Sequence, residues 1–96
     1  MKIVWSKHAN YTFYNTRNYL LHYWNYQIAQ KFADEVLHVI ELISKNPRLG
    51  KFRFDLECNE ILISKHISMY YKINHDFVHL IEFYDNRQKP INVLNL

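Results

Sequence analysis

The sequence contains few of the residues that break or cross-link a chain: among its 96 residues are one glycine, two prolines and one cysteine. So little glycine and proline favours long continuous helices and strands over a loop-rich scaffold. With Gly50 as the only glycine, a glycine-rich phosphate-binding loop is excluded. The lone Cys58 excludes an internal disulfide and lacks the cysteine and histidine neighbours of a structural zinc site. We therefore expect a reducing compartment, no metal and no cofactor.

Long apolar runs are also missing, and no stretch approaches the length of a membrane span. The first thirteen residues, MKIVWSKHANYTF, contain no apolar core of a secretory signal. The composition is nevertheless 49% hydrophobic and 17% aromatic, with eight tyrosines, which is enough for one domain with its own core. We expect a single domain over residues 1–96 that is soluble and cytoplasmic, has no membrane partner, and uses some of its tyrosines to line a binding surface.

The formal net charge is +3, and the basic residues are grouped along the chain. No acidic residue lies between positions 45 and 54. The two basic groups are Lys45, Arg48, Lys51 and Arg53, and then Arg87 and Lys89. One such run is most often a solvated loop, whereas two are compatible with contact to a polyanion or to an acidic protein.

The first half of the sequence predicts a short strand followed by two helices. Residues 2–5 are apolar and β-prone, and Ser6 and Asn25 stand where helix N-caps belong. The first helix is expected from Lys7 to about Trp24. The second should end near Lys45, because Asn46 precedes a proline, and Gly50 is expected to supply a positive φ. The apolar positions of the second helix recur every three or four residues: Ala29, Phe32, Ala33, Val36, Leu37, Ile40 and Ile43.

The second half changes to the two-residue repeat of β-strands. Strands are predicted at Ile61–Ile63, Ile67–Ile73 and Phe77–Tyr84, joined by short turns that favour an antiparallel meander. The apolar stripe of the helical hairpin needs a partner, and one face of that sheet supplies it. The sequence thus predicts an α+β, two-layer domain of order β-α-α-β-β-β, with a helical hairpin packed on an antiparallel sheet.

Several short motifs in this order resemble the RelE/ParE superfamily of bacterial toxins, and together they cover almost the whole chain. They are the strand ending at Trp5, the tyrosine-rich helix from Ser6, Tyr23-Trp24, Ser44-Lys45-Asn46-Pro47, Leu62-Ile63-Ser64-Lys65-His66, Tyr70-Tyr71-Lys72-Ile73, and Phe83-Tyr84-Asp85-Asn86-Arg87-Gln88-Lys89-Pro90.

The resemblance implies the toxin of a type II toxin–antitoxin system, which also acts in plasmid stabilisation and growth inhibition. Its expected partner is a cognate antitoxin, in a toxin–antitoxin hetero-oligomer. Two targets remain open. ParE-like members inhibit DNA gyrase without a catalytic site, and RelE-like members are metal-independent endoribonucleases that cut mRNA on the ribosome. A non-toxic member that only binds its antitoxin is a third alternative.

The site residues that the resemblance implies depend on which target is correct. A ribonuclease would use Arg87, His66 and Lys65, since Arg87 stands where the family has its late arginine. Nucleic acid or another target would be contacted by a separate set: Lys51, Arg53, Lys72 and Lys89. The tail after Arg87 has no Tyr or His, which departs from the RelE pattern and favours ParE-like inhibition of gyrase by a small margin. An ordinary strand-end role for His66, and an ion pair between Arg87 and Asp85, are the competing interpretations.

Overall fold

A computed structural model describes residues 1–87, so Lys89 lies outside the described residues. The elements are β1 (Lys2–Trp5), α1 (Lys7–Tyr23), α2 (Tyr26–Lys45), β2 (Lys51–Arg53), β3 (Cys58–Leu62), β4 (Ile67–Ile73) and β5 (Phe77–Asp85), with a 3-10 turn at Pro47–Leu49. The predicted α+β architecture and order are confirmed, and β2 is a short additional strand. In this part of the chain no helix has both the length and the apolar character needed to cross a membrane.

Both helices begin at the side chains that the sequence indicated. The Ser6 hydroxyl accepts a hydrogen bond from the Ala9 N–H at 2.9 Å. The Asn25 side-chain oxygen accepts one from the Ile28 N–H, also at 2.9 Å. Each cap satisfies a backbone donor that the first helical turn leaves unpaired. The chain reverses between the two helices within two residues. Trp24 is the C-cap of α1, and Asn25 is the N-cap of α2.

The five strands form one sheet in the order β1-β5-β4-β3-β2. Strands β3 to β5 form the predicted three-stranded antiparallel meander, and β2 extends it by one strand. The sheet is mixed, however, because β1 pairs in parallel with β5, from Lys2 opposite Phe77 to Trp5 opposite Leu80. This departs from a purely antiparallel sheet. In the sequence, the helical hairpin and the other strands of the meander lie between β1 and β5. This long connection allows β5 to lie beside β1 and to run in the same direction.

The main core lies between the helices and one face of the sheet. Helix α2 buries Ala29, Phe32, Val36, Val39 and Ile43. They share one cluster with Ile67, Met69 and Tyr71 of β4 and with Val78, Leu80 and Phe83 of β5. The expectation that Leu37 belongs to the buried stripe is wrong, since this side chain is 64% exposed. Its position on the helix faces away from the sheet.

Neighbouring tyrosines of β4 face opposite sides of the sheet, as strand geometry requires. Tyr71 belongs to the core beneath the helices, and Tyr70 to a second cluster with Leu56, Cys58 and Ile81. Both tyrosines are buried, so neither is among the tyrosines that could line the expected binding surface.

Position 50 requires glycine because a larger side chain would not fit there, and not because its backbone is left-handed. Its φ is −74°, which contradicts the predicted positive value. The residue with positive φ is Glu57, at 56°. A Cβ at position 50 would lie 2.6 Å from the Tyr71 hydroxyl and 2.9 Å from the Glu60 carbonyl oxygen. The Gly50 N–H instead donates to that hydroxyl, at 2.9 Å.

Candidate functional site

His66 and Arg87, two of the predicted catalytic residues, line one cleft of about 310 Å³. The cleft lies beside the end of α1, the start of α2 and the turn before β4. Its lining is Leu20, Trp24, Ile28, Lys31, Phe32, Glu35, Ser64, His66, Ile67 and Arg87. We refer to it as the Arg87 cleft. Lys65 is exposed in the same turn as His66 but does not line the cleft.

The sheet register explains why residues so distant in sequence meet here. Ile67, the first residue of β4, pairs with Asp85, the last residue of β5. The turn before β4 therefore lies beside the turn after β5. The Asn86 N–H donates to the His66 carbonyl oxygen at 2.7 Å and joins the two turns.

Arg87 is engaged by a neighbouring carboxylate. Its Nε and Nη2 lie 3.0 and 2.6 Å from the two carboxylate oxygens of Asp85, a bidentate geometry that makes a strong charge-assisted pair. Hydrogen bonding from Arg87 holds the pKa of Asp85 below its ordinary value. About half of the Arg87 side chain remains exposed to solvent, at 49%. The ion pair considered from sequence is therefore present, and it reduces the positive charge that the cleft presents.

Among residues 1–87, His66 takes part in a hydrogen bond through its backbone oxygen, and no group there fixes the orientation of its imidazole. A general acid or base works best when a third group holds it in one orientation and tautomer. Lys31 and Glu35 line the same cleft with opposite charges. The cleft thus offers one partly neutralised arginine and one unoriented histidine.

The face of the sheet opposite the helices carries a second polar cluster, centred on Glu60. Its carboxylate accepts hydrogen bonds from Ser68 Oγ at 2.6 Å, Arg53 Nη1 at 2.7 Å and the Tyr70 hydroxyl at 3.2 Å. Arg53 also holds Asp55, with two contacts of 2.9 and 2.7 Å. Arg53, which the sequence suggested for target binding, is therefore bound to two carboxylates of its own chain.

The electrostatics of this cluster stabilise the ionised forms of its acid and its arginine. Burial opposes ionisation of Glu60, but hydrogen bonds from Ser68 and Arg53 outweigh it and bring its pKa below the ordinary value. Burial, with Glu60 beside it, raises the pKa of Tyr70 to about 12. Hydrogen bonds to Asp55 and Glu60 raise the pKa of Arg53. Tyr70 therefore stays protonated near neutral pH and donates its hydroxyl hydrogen to Glu60.

Lys72 lies toward the end of β4 that is remote from the Arg87 cleft, and Lys51 lies on the edge strand β2. Lys72 is six positions beyond His66, which corresponds to roughly 20 Å of extended chain. Lys72 lines a cleft of about 610 Å³ together with Arg48, Gly50 and Phe52. The structure therefore divides the predicted residues into two places and does not unite them in one site.

The structure exposes many aromatic side chains, which the sequence predicted only in general terms. Six of them lie on or next to α1 and are at least 48% exposed: Tyr11, Tyr14, Tyr19, Tyr23, Trp24 and Tyr26. Two more, Phe52 and Phe54, lie on β2 and in the turn after it. The tyrosine content signalled the first group, but no pattern in the sequence singled out the phenylalanines.

Residues 1–87 contain no group of three or more His, Cys, Asp or Glu side chains placed to hold an ion. His8 is paired with Glu82 across the edge of β5.

No family model and no curated protein match this sequence. Among solved structures, the chain is similar to one from the chromosomal ParDE TA system from P. aeruginosa, with a TM-score of 0.74, 9% identity and coverage of 88% of this chain and 95% of that chain. It is also similar to the YoeB/ParE toxin from Agrobacterium tumefaciens, with a TM-score of 0.62, 12% identity and coverage of 88% and 98%. At this level of identity the likeness concerns the fold, and the predicted RelE/ParE-like fold is confirmed.

Proposed function

We propose that this chain is the toxin of a type II toxin–antitoxin system, neutralised by a cognate antitoxin, and that it acts by binding its target, DNA gyrase. The single observation that carries the proposal is the fold, which is similar over nearly the full length to chains from a ParDE system and a YoeB/ParE toxin. We further propose that residues 1–96 act as one domain in the cytoplasm, where gyrase is found.

The preference for binding over hydrolysis rests on the ion pairs that the arginines form and on the lack of a group that orients His66. Metal-free RNA cleavage needs a base for the 2′-hydroxyl, an acid for the leaving oxygen, and cations for the crowded phosphorane. Arg87 is paired with Asp85, and Arg53 with Asp55 and Glu60. No hydrogen bond within residues 1–87 orients His66. These residues fit a binding protein better than a nuclease.

The test is expression of the chain without and with its antitoxin. We expect growth arrest on expression alone and recovery when the cognate antitoxin is co-expressed. Purified chain should inhibit the supercoiling activity of gyrase while cellular mRNA stays intact. Unimpaired growth with abundant, folded protein contradicts toxicity. A folded chain that still binds the antitoxin in that case is the non-toxic binding module instead.

One observation favours a RelE-like ribonuclease as the second candidate: His66 and Arg87 line the same cleft. In that case new 5′ ends should appear in ribosome-bound mRNA during expression. Arg87→Ala should reduce cleavage by on the order of 10²–10³, the usual loss for removing one transition-state contact. Lys7→Ala, a cation of α1 outside both clefts, is the matched control and should leave cleavage unchanged. Equal cleavage by both variants contradicts a catalytic Arg87.

A further inference from the structure

A polar cleft of about 610 Å³ lies at one end of the sheet and shares no lining residue with the Arg87 cleft. Cys58 begins β3 and Ile73 ends the antiparallel strand β4, so both residues lie at this end. Lys72 lines the cleft from β4, and Arg48 lines it from the 3-10 turn after α2. We refer to it as the Lys72 cleft.

Asn59 presents a buried amide to this cleft. The residue is 8% exposed, and no group of residues 1–87 forms a hydrogen bond with its side chain. No side-chain polar atom in that range is fully buried without a partner, so the amide still reaches solvent, and it does so in the cleft that it lines. A largely buried amide without a partner costs free energy, which a ligand with a complementary donor and acceptor would recover.

An aromatic ring lies beside that amide. Phe52 is the direct cross-strand partner of Asn59, so the two side chains project from the same face of the sheet. The Cβ atoms of such a pair lie about 5 Å apart. The Phe52 ring is 45% exposed and lines the cleft. Because exposed rings of this kind stack on the flat faces of nucleobases, a base on Phe52 would bring its polar edge to Asn59.

Two cations of the cleft are available to an anion. Arg48 and Lys72 are exposed, and neither forms an ion pair with any residue from 1 to 87. The Tyr71 hydroxyl fixes the turn that carries Arg48. It donates to the Pro47 carbonyl oxygen at 2.7 Å and accepts from the Gly50 N–H at 2.9 Å. One cation is therefore held on a turn that is tied to the sheet, and the other lies on the sheet itself.

We propose that the Lys72 cleft binds an adenine nucleoside diphosphate. The base stacks on Phe52, and its adjacent donor and acceptor pair with the Asn59 amide, as asparagine pairs with adenine elsewhere. The diphosphate lies against Arg48 and Lys72. Glu57, an exposed acid of the same lining, accepts hydrogen bonds from the ribose hydroxyls, a role that acidic residues have in other nucleotide sites. This binding does not depend on whether the chain is a toxin.

Two simpler anions fit the cleft less well. An acidic peptide would bring its carboxylates to Glu57 as well as to the cations, and like charges repel. Pyrophosphate would contact Arg48 and Lys72 and leave Phe52 and Asn59 unused. Recognition of the base therefore distinguishes a nucleotide site from a general anion site.

Isothermal titration calorimetry of the full chain with ADP and, separately, with pyrophosphate tests the proposal. We expect ADP to bind more tightly, because only ADP has a base and a ribose. Asn59→Val should weaken ADP binding about tenfold. It should not lower the midpoint of thermal unfolding, since it removes an amide that has no partner within residues 1–87. Lys72→Gln should weaken binding of both ligands, whereas Lys7→Gln, at an exposed position of α1 outside the cleft, should bind them as the parent does.

Nuclear magnetic resonance gives a readout that needs no variant: ADP should shift the backbone amide signals of residues 57–59 and 72–74 and leave those of α1 in place. No heat and no shifted signal with ADP overturns the proposal. Equal affinity for ADP and pyrophosphate also overturns it, as does unchanged ADP binding by a folded Asn59→Val, because the cleft would then recognise charge alone. If Asn59→Val does not fold, Phe52→Leu at its exposed position replaces it, with about tenfold weaker ADP binding expected and unchanged ADP binding contradicting the proposal.

Discussion

Glu60 shows how a single carboxylate depends on its neighbours in this sheet. It lies on the face opposite the helices, with its side chain 20% exposed. Ser68 and Tyr70 come from the adjacent strand, where Tyr70 is its direct cross-strand partner. Arg53 reaches it from β2. Three strands thus converge on one charge, which stays ionised because each neighbour donates a hydrogen bond to it.

We expect the free energy of unfolding to fall in acid partly because of Glu60. Its pKa in the folded chain lies below the ordinary value of 4.5. A lowered pKa gives stability that is present above the unfolded value and is lost as the pH falls through the folded value. Urea unfolding between pH 7 and pH 3 should therefore show declining stability below about 4.5, to which Asp85 also contributes, since its pKa is lowered as well.

Glu60→Gln isolates this contribution. The variant should be less stable than the parent at pH 7, and the difference between the two should shrink toward pH 3. Glu41→Gln is the control, because Glu41 is 67% exposed in a surface pair with Lys45, where ion pairs contribute little. A difference between Glu60→Gln and the parent that stays constant across this range would argue against a charged Glu60 in the fold.

At the scale of elements, α2 is the helix that attaches the helical layer to the sheet. It spans 20 residues and buries one side along its length, from Ala29 to Ile43. Phe32 is 5% exposed and touches Phe13 of α1 and Phe83 of β5, with centroid distances of 5.5 and 6.4 Å. This one ring therefore joins both helices to the sheet.

Truncation of that ring should strongly destabilise the chain. Phe32→Ala is expected to reduce the free energy of unfolding by about 3–5 kcal/mol, since it removes a buried aromatic side chain and leaves a cavity. Leu37→Ala, five positions along the same helix on its exposed side, should change it by less than about 0.5 kcal/mol. Chemical denaturation of both variants measures the contrast, and equal effects would mean that α2 faces the sheet with another side.

At the scale of the whole molecule, the charges are distributed unevenly along the chain. Residues 1–33 contain no Asp or Glu, although they include Lys2, Lys7, Arg17 and Lys31. The net charge of the full sequence is +3. An acidic antitoxin would therefore be attracted before contact. Opposite charges on two proteins raise their association rate more than they lower the dissociation rate of the complex.

This attraction predicts that the association rate depends on salt. Between low ionic strength and about 0.5 M NaCl, we expect the association rate with the antitoxin to fall about tenfold or more, with a smaller change in the dissociation rate. Stopped-flow or surface-binding kinetics measure both constants. A salt-independent association rate would mean that shape and apolar contact, and not charge, govern the encounter.

Prediction from the sequence succeeded where the physical cause is local. Ser6 and Asn25 start their helices because a cap needs only its own side chain and the next turn. The stripe containing Phe32 and Val36 follows from helical periodicity alone. The prediction was wrong for Leu37. The spacing of apolar residues allows this side chain on either the buried or the exposed side of the helix, and only packing against the sheet decides which.

The sequence by itself determined the α+β class, the order of its main elements, both helix starts and most of the buried side of α2, because these depend on neighbours within a few positions. Only the tertiary structure decided that β1 lies parallel to β5, that Gly50 must give room to Tyr71, and that Arg53 and Arg87 are held by carboxylates. It also placed His66 beside Arg87 and far from Lys72. Those outcomes join residues that are distant in the chain, and their partners are set by strand register and packing, which no local pattern encodes.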